Sequence, residues 1–520
     1  MNKHIEFGRI AKKKTSTFLE KNTQLIAMSS MAALLTACTT PWDDAIDKTA
    51  AEMANSSIDG SDGTDTLTIT GGLGTFDFST AGTSGAKVVN VENIVFGNGG
   101  NIITGFDAAV KNLTGGTGSD GFSVTGMASG GTISLGEGND VIGGLTKAFV
   151  ETSGASIKGG AGSDTISFLE LGANENVSLS NVSGFEALQF VKSHDSTHKI
   201  TLSDGITTII ADTDNANEKM YFNASIAQAE ALTTLADQTG TGVLGLTLTE
   251  AGNIDLTGLT LLFNLDEIQL ADGTNNLTVN SSYTGSVGIN FSITGGTGAD
   301  TLTVKGLLTS DGNLDGLTEI ETIVLDSGAD GLTLADSVVG SGDSLTINAT
   351  AKTGALTFNG SAETNGTYTV LASNFGDTIT GGAGADTITS GTGADTMTGG
   401  GGGDTFIINT ASGITLATAD TITDYATGID KIEFGGAAGT GTNAAGADGS
   451  SNVDLAAFIV DANAALNGTI VYYVEFNVNN SGNGYMVYDR DGDGSFGEGD
   501  NLVILTDVGA LSDLNFGDIV

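Results

Sequence analysis

Asp377-Thr378-Ile379-Thr380-Gly381-Gly382-Ala383-Gly384-Ala385-Asp386-Thr387-Ile388-Thr389-Ser390-Gly391-Thr392-Gly393-Ala394-Asp395-Thr396-Met397-Thr398-Gly399-Gly400-Gly401-Gly402-Gly403-Asp404-Thr405-Phe406 is the stretch that decides the fold. Asp377, Asp386, Asp395 and Asp404 recur every nine residues, each followed by Thr and then by a large apolar residue, Ile379, Ile388, Met397 and Phe406. Glycine-rich turns precede the last three aspartates. Such a period divides into a six-residue turn, whose glycines permit positive φ and expose carbonyl oxygens, and a three-residue strand whose apolar residue points inward. A flexible linker would not keep the apolar residue in phase.

A hard cation such as calcium takes six or more oxygens at about 2.3–2.6 Å, and one turn supplies only part of that set. A second turn stacked on the first supplies the rest. The pattern resembles the G-G-x-G-x-D-x-U-x nonapeptide of calcium-binding RTX proteins, which implies a parallel β-roll with Ca2+ as its cofactor. Two nonapeptides make one coil, so Asp377 pairs with Asp395 and Asp386 with Asp404 as the expected ligands.

Composition agrees. The 520 residues hold 62 acidic against 18 basic side chains, a formal charge of −44. That excess makes nucleic-acid binding implausible and invites compensation by divalent cations. The 39% of hydrophobic residues suffices for a core, and 79 glycines with a single proline indicate tight turns between short strands.

Residues 1–38 read as a targeting segment. Six basic residues precede an uncharged stretch from Leu25 to Ala37. Leu35-Thr36-Ala37-Cys38 resembles a bacterial lipobox, which makes Cys38, the only cysteine, the expected lipidation site and a lipid anchor possible. Residues 39–57 form a linker.

Residues 58–200 and 201–350 are two parts of a β-rich repeat body. Turns of the nonapeptide type recur at Gly60–Asp65, Gly115–Asp120, Gly159–Asp164 and Gly295–Asp300. A second unit, apolar-acidic-x-apolar-x-apolar, occurs at Val91–Phe96, Phe185–Phe190, Leu265–Leu270 and Ile320–Leu325. It reads as a strand with one buried face and the acid on the other. The uneven spacing of these units argues against a strict solenoid. The expected class is therefore all-β, with a β-helix-like or stacked β-sandwich body, a C-terminal parallel β-roll at 351–411 and few short helices, at Ile226–Asp237 and Leu455–Leu466. Asp120, Asp140 and Asp164 form a weaker candidate set of ligands.

Residues 412–520 close the roll. Asp420–Ile432 resembles the closing segment of RTX proteins, and Phe516-Gly517-Asp518-Ile519-Val520 the acidic-then-aliphatic ending of type I secretion substrates. Such substrates normally carry no lipoprotein signal, so one of the two termini is repurposed. Asp489, Asp491, Asp493 and Asp500 occupy positions 1, 3, 5 and 12 of an EF-hand-like loop with Gly494 at position 6. Strands flank it instead of helices, so a calcium loop between two strands is expected.

Catalytic constellations are missing. His194 and His198 form H-D-S-T-H, which lacks the glutamate of the zinc-protease motif and reads as a surface pair. No G-x-S-x-G elbow occurs, and one tryptophan, Trp42, leaves little for a sugar-stacking cleft. The chain is not expected to be an enzyme. Its features resemble those of RTX surface-layer proteins of Gram-negative bacteria. That resemblance implies an extracellular, cell-surface protein that folds after export and assembles with itself through calcium into a layer or biofilm matrix. Cell-surface polysaccharide or lipopolysaccharide, bridged by calcium, is the expected attachment partner. An RTX adhesin or lipid-anchored surface-binding protein is the alternative, and an extracellular polysaccharide-acting enzyme a third reading.

Overall fold

The structure is a computed structural model describing residues 43–53, 57–72, 74–78, 87–168, 171–190, 196–213, 216–238, 240–259, 261–263, 265–281, 291–306, 312–326, 330–408, 415, 417–435, 439, 443–448, 455–476, 482–506, 508 and 514–520. The targeting segment with Cys38, Trp42 and also His194 lie outside the described residues.

The chain forms two compact units, one ending at Glu137 and one spanning Gly138–Val520. Each is a parallel β-solenoid. In the first unit, strands Ala45–Thr49, Thr66–Thr70, Asn93–Phe96, Asn112–Thr114 and Thr132–Glu137 pair in parallel down one sheet, so that Ala45–Thr49, within the stretch expected to be a linker, is a strand of the solenoid. Gly74–Phe76, Asn101–Ile103 and Gly121–Ser123 form a second sheet. Alternate residues face inward, as period two requires, so that Leu67, Ile69, Ile94 and Phe96 are buried. Phe96 meets Phe122 with ring centroids 5.1 Å apart.

The second unit repeats the scheme at greater length. Strands Asn276–Asn280, Thr301–Lys305, Thr322–Leu325, Ser344–Asn348, Thr367–Leu371, Thr387–Thr389, Thr405–Ile407 and Lys431–Glu433 follow one another in one parallel sheet. The body is therefore not a stack of sandwiches, and the uneven spacing of its motifs does not break the solenoid. Thr66 lies opposite Asn93, 27 residues on, while Thr369 lies opposite Thr387, only 18 on. Corners absorb the difference in length, while the strands keep their inward face and hence their register. The two repeated sequence units are consecutive coils: Thr165–Phe168 pairs with Ala187–Phe190, and Thr301–Lys305 with Thr322–Leu325.

Two local expectations change. The helix expected to run to Asp237 stops at Ala231. Ser225 caps it with Gln228 in a capping box, and Leu232 ends it in extended conformation. Thr234–Asp237 is instead a strand on Thr208–Ala211, where Leu235 buries itself completely. A four-residue alternation docked on an existing sheet outweighs helix propensity. The acids of the second repeated unit also differ from expectation: Glu92, Glu186 and Glu321 precede their strands and face along the stack rather than standing on an outer strand face.

The far end of the second unit is closed by a change of direction. Asp420–Ile422 pairs in parallel with Asn501–Leu505, which turns antiparallel to Gly484–Tyr488, itself antiparallel to Tyr472–Phe476. The helix Leu455–Ala465 covers this sheet through Phe458 and Ala462, packed with Tyr473, Tyr485 and Leu502. The last residues dock as well. Asp518 accepts hydrogen bonds from the Tyr425 hydroxyl at 3.0 Å and the Gly428 N–H at 2.7 Å, and Ile519 bridges Ile432. Among the described residues no helix is long and apolar enough to cross a membrane.

Candidate calcium sites

Each nonapeptide places its aspartate at the end of the turn, immediately before strands Thr378–Thr380, Thr387–Thr389, Thr396–Thr398 and Thr405–Ile407. Ile379, Ile388, Met397 and Phe406 are fully buried between the two sheets of the roll. That inward packing fixes the strand, and the strand fixes the aspartate at the corner. Because coils advance by two nonapeptides, the aspartates stack in two columns. In one, the Leu356 N–H donates to Asp377, the Asp377 N–H to Asp395 at 2.7 Å, and the Asp395 N–H to Asp420 at 3.0 Å. In the other, the Tyr368 N–H donates to Asp386, the Asp386 N–H to Asp404 at 2.8 Å, and the Asp404 N–H to Asp430 at 2.9 Å. The structure thus brings Asp377 to Asp395 and Asp386 to Asp404.

The columns are longer than the nine-residue period. Asp420 and Asp430 extend them by one coil each, although they lie 25 and 26 residues beyond the aspartates they follow. Asp424 adds a further carboxylate, accepting from the Gly399 and Gly400 N–H groups at 2.9 and 2.7 Å. The signal that could have revealed the first two is Asp420-Thr421-Ile422 and Asp430-Lys431-Ile432, which keep aspartate and apolar residue two apart.

Stacked buried carboxylates are costly as anions. Burial, then the neighbouring Asp420 and Asp377 charges, push Asp395 up to about 8 despite the Asp377 N–H bond. Burial likewise raises Asp404 to about 7 and Asp420 to about 6, and moves Asp377, Asp386 and Asp430 upward. A divalent cation relieves that cost, and the chemistry of the site fits one. Its donors are all oxygen. Asp395 Oδ2 is buried without a hydrogen-bond partner. A methyl group at Gly381 would overlap both Asp386 Oδ2 and the Gly399 carbonyl oxygen, so glycine there leaves those two oxygens room to converge. Residues 371–406 match the RTX calcium-binding nonapeptide repeat family in four copies. These repeats bind Ca2+. The chain carries an RTX roll at the C-terminal part of a β-solenoid, and proteins with such repeats are typically secreted. No curated protein matches the chain significantly.

The C-terminal loop gathers a second group. Oxygens of Asp489, Asp491 and Asp493 lie within 4.8 Å of one another. Asp489 takes the Gly492 and Gly494 N–H groups, whose residues reach φ of 72° and 80° to make the tight turn. Asp500 stands outside that triad and accepts from the Arg490 and Gly497 N–H groups at 2.8 and 2.7 Å. Strands Gly484–Tyr488 and Asn501–Leu505 flank the loop.

Of the weaker set, the Asp140 N–H donates to Asp164 Oδ1 at 2.8 Å, and Asp120 accepts the Asn101 N–H at 2.8 Å. His198 is not on the surface. It is fully buried on the inner face of strand Thr197–Thr201, its Nε2 3.1 Å from Ser196 Oγ. The strand's alternation turns that position inward, which the H-D-S-T-H spelling does not reveal.

Proposed function

We propose that the protein is a calcium-dependent structural component of the bacterial cell surface, a surface-layer or biofilm-matrix protein that assembles with copies of itself. The observation that carries this reading is the long parallel solenoid of the second unit, with two columns of buried aspartates in its C-terminal roll. Such a body is stiff and repetitive, and its folding at the roll is coupled to an ion scarce inside cells and abundant outside them. The charge of −44 supports a second role for calcium between copies, since bare acidic surfaces repel one another. The same bridging would hold the protein to anionic polysaccharide or lipopolysaccharide.

Negative-stain electron microscopy of the purified protein, with calcium and then with chelator, tests the reading. Ordered sheets or a matrix appearing only with calcium are expected. Dispersed folded monomers in both conditions would overturn it, and would favour an adhesin held by a lipid at Cys38.

A further inference from the structure

Three steps of the solenoid outside the nonapeptide run share one construction. A turn closed by aspartate faces, one coil on, a residue in left-handed backbone conformation followed two positions later by glutamate. Gly60 and Asp65 face Asn90 and Glu92 in the first unit. Gly159 and Asp164 face Gly184 and Glu186 in the second, and Gly295 and Asp300 face Glu319 and Glu321. The left-handed residues have φ of 52°, 68° and 57°. Glutamate rarely adopts that conformation, so Glu319 holds it against its own preference.

The hydrogen bonds repeat too. Oε2 of Glu92, Glu186 and Glu321 accepts the N–H of Asp65, Asp164 and Asp300 at 2.8, 2.7 and 2.6 Å. Oδ1 of the three aspartates accepts the N–H of Asp44, Asp140 and Asn275 from the coil before, at 2.7, 2.8 and 2.8 Å. Oδ2 is left over. In all three it is buried with no hydrogen-bond partner, on residues only 0, 0 and 1% exposed.

Oδ2 and a main-chain carbonyl oxygen border the same glycine in each step. A methyl group at Gly60, Gly159 or Gly295 would overlap the carbonyl oxygen of Asn90, Gly184 or Glu319 and stand 2.5, 2.7 or 2.6 Å from the aspartate Oδ2. Each glycine thus keeps open a space into which a carboxylate oxygen and a main-chain carbonyl both project. A role in pairing the coils accounts for Oδ1 and for the glutamate Oε2, but not for a buried carboxylate oxygen left without a hydrogen-bond partner. An amide can do the pairing alone: Asn275 Oδ1 accepts the Gly252 N–H at 3.3 Å.

We propose that these three steps are calcium sites of the body, separate from the roll and from the C-terminal loop. Each ion is held by the aspartate Oδ2, the carbonyl of Asn90, Gly184 or Glu319, and the second carboxylate oxygen of the half-buried glutamate, with water completing the shell. The donor set is hard and all oxygen, which selects Ca2+ over softer-ligand metals. These sites staple consecutive coils where no run of nonapeptides exists.

The test is calcium bound per full-length chain, by equilibrium dialysis against Ca2+. The variant Asp65→Asn/Asp164→Asn/Asp300→Asn keeps every Oδ1 acceptor and should bind three fewer ions, while the calcium-induced far-UV change of the roll persists. The roll variant Asp386→Asn/Asp395→Asn/Asp404→Asn should keep the three body ions. Full stoichiometry in a triple body variant with wild-type circular dichroism would overturn the proposal. Should that variant fail to fold, Glu92→Gln, Glu186→Gln and Glu321→Gln are measured singly, since glutamine still accepts the aspartate N–H. At least tenfold weaker binding of one ion in each is expected, and unchanged binding isotherms in all three would overturn the proposal as well.

Discussion

Replacing Asp395 by Asn should have opposite effects with and without calcium. Its folded-state value of about 8 stands well above the usual aspartate range. A folded value above the unfolded one means that the group favours folding while protonated, below about pH 4, and that this contribution is lost as pH rises through about 8. At pH 8 the difference corresponds to about 5 kcal/mol at most, at about 1.36 kcal/mol per unit. Relaxation and water penetration reduce what is observed to about 1–3 kcal/mol. The side-chain amide of the Asp395→Asn variant would still accept the Asp377 N–H, now at 2.7 Å, because only Oδ2 changes. In chelator at pH 8 the variant roll should therefore be more protected than the wild type, and at pH 5 by only about a quarter to a third as much. With calcium the order reverses, because a ligand is lost, and the calcium midpoint should rise about tenfold, which is about 1.4 kcal/mol. Hydrogen exchange of peptides from 371–408 in the full chain reads both effects at the roll itself. Equal loss of protection at both pH values in chelator, or an unchanged calcium midpoint, would refute the assignment of Asp395 as a buried, metal-compensated carboxylate.

The remaining predictions concern packing and the loop. Gly399→Ala would drive a methyl group into the Asp404 carboxylate, and should destabilise the calcium-loaded roll by about 1–3 kcal/mol in urea unfolding. Asp491→Asn/Asp493→Asn should remove the part of the tyrosine-sensitised Tb3+ emission that Tyr488 contributes at the loop, while the part from Tyr368 beside Asp386 and the protection of the roll stay intact.

The nonapeptide run was legible because its information is local. Aspartate, turn glycines and inward apolar residue lie within nine residues, and the stack only repeats them. The loop at Asp489–Asp500 was legible for the same reason, although the sequence spacing could not show that Asp500 turns to the Arg490 and Gly497 N–H groups instead of joining the other three.

Whatever depends on which coil lies next was decided by tertiary structure. Asp404 meets Asp430 across 26 residues and Asp386 across 18, so no fixed period announces both contacts. Glu186 and Asp164 belong to different sequence motifs, yet become one hydrogen-bonded step once their strands pair. Thr234–Asp237 became a strand because Thr208–Ala211 offered it an edge, and His198 became a core residue because its strand's inner face includes it. Sequence determined the periodic roll, the acidic excess and the all-β composition of this chain. The register between coils of 18 to 30 residues, and with it every contact from one coil to the next, came from strand pairing and the burial of alternate side chains.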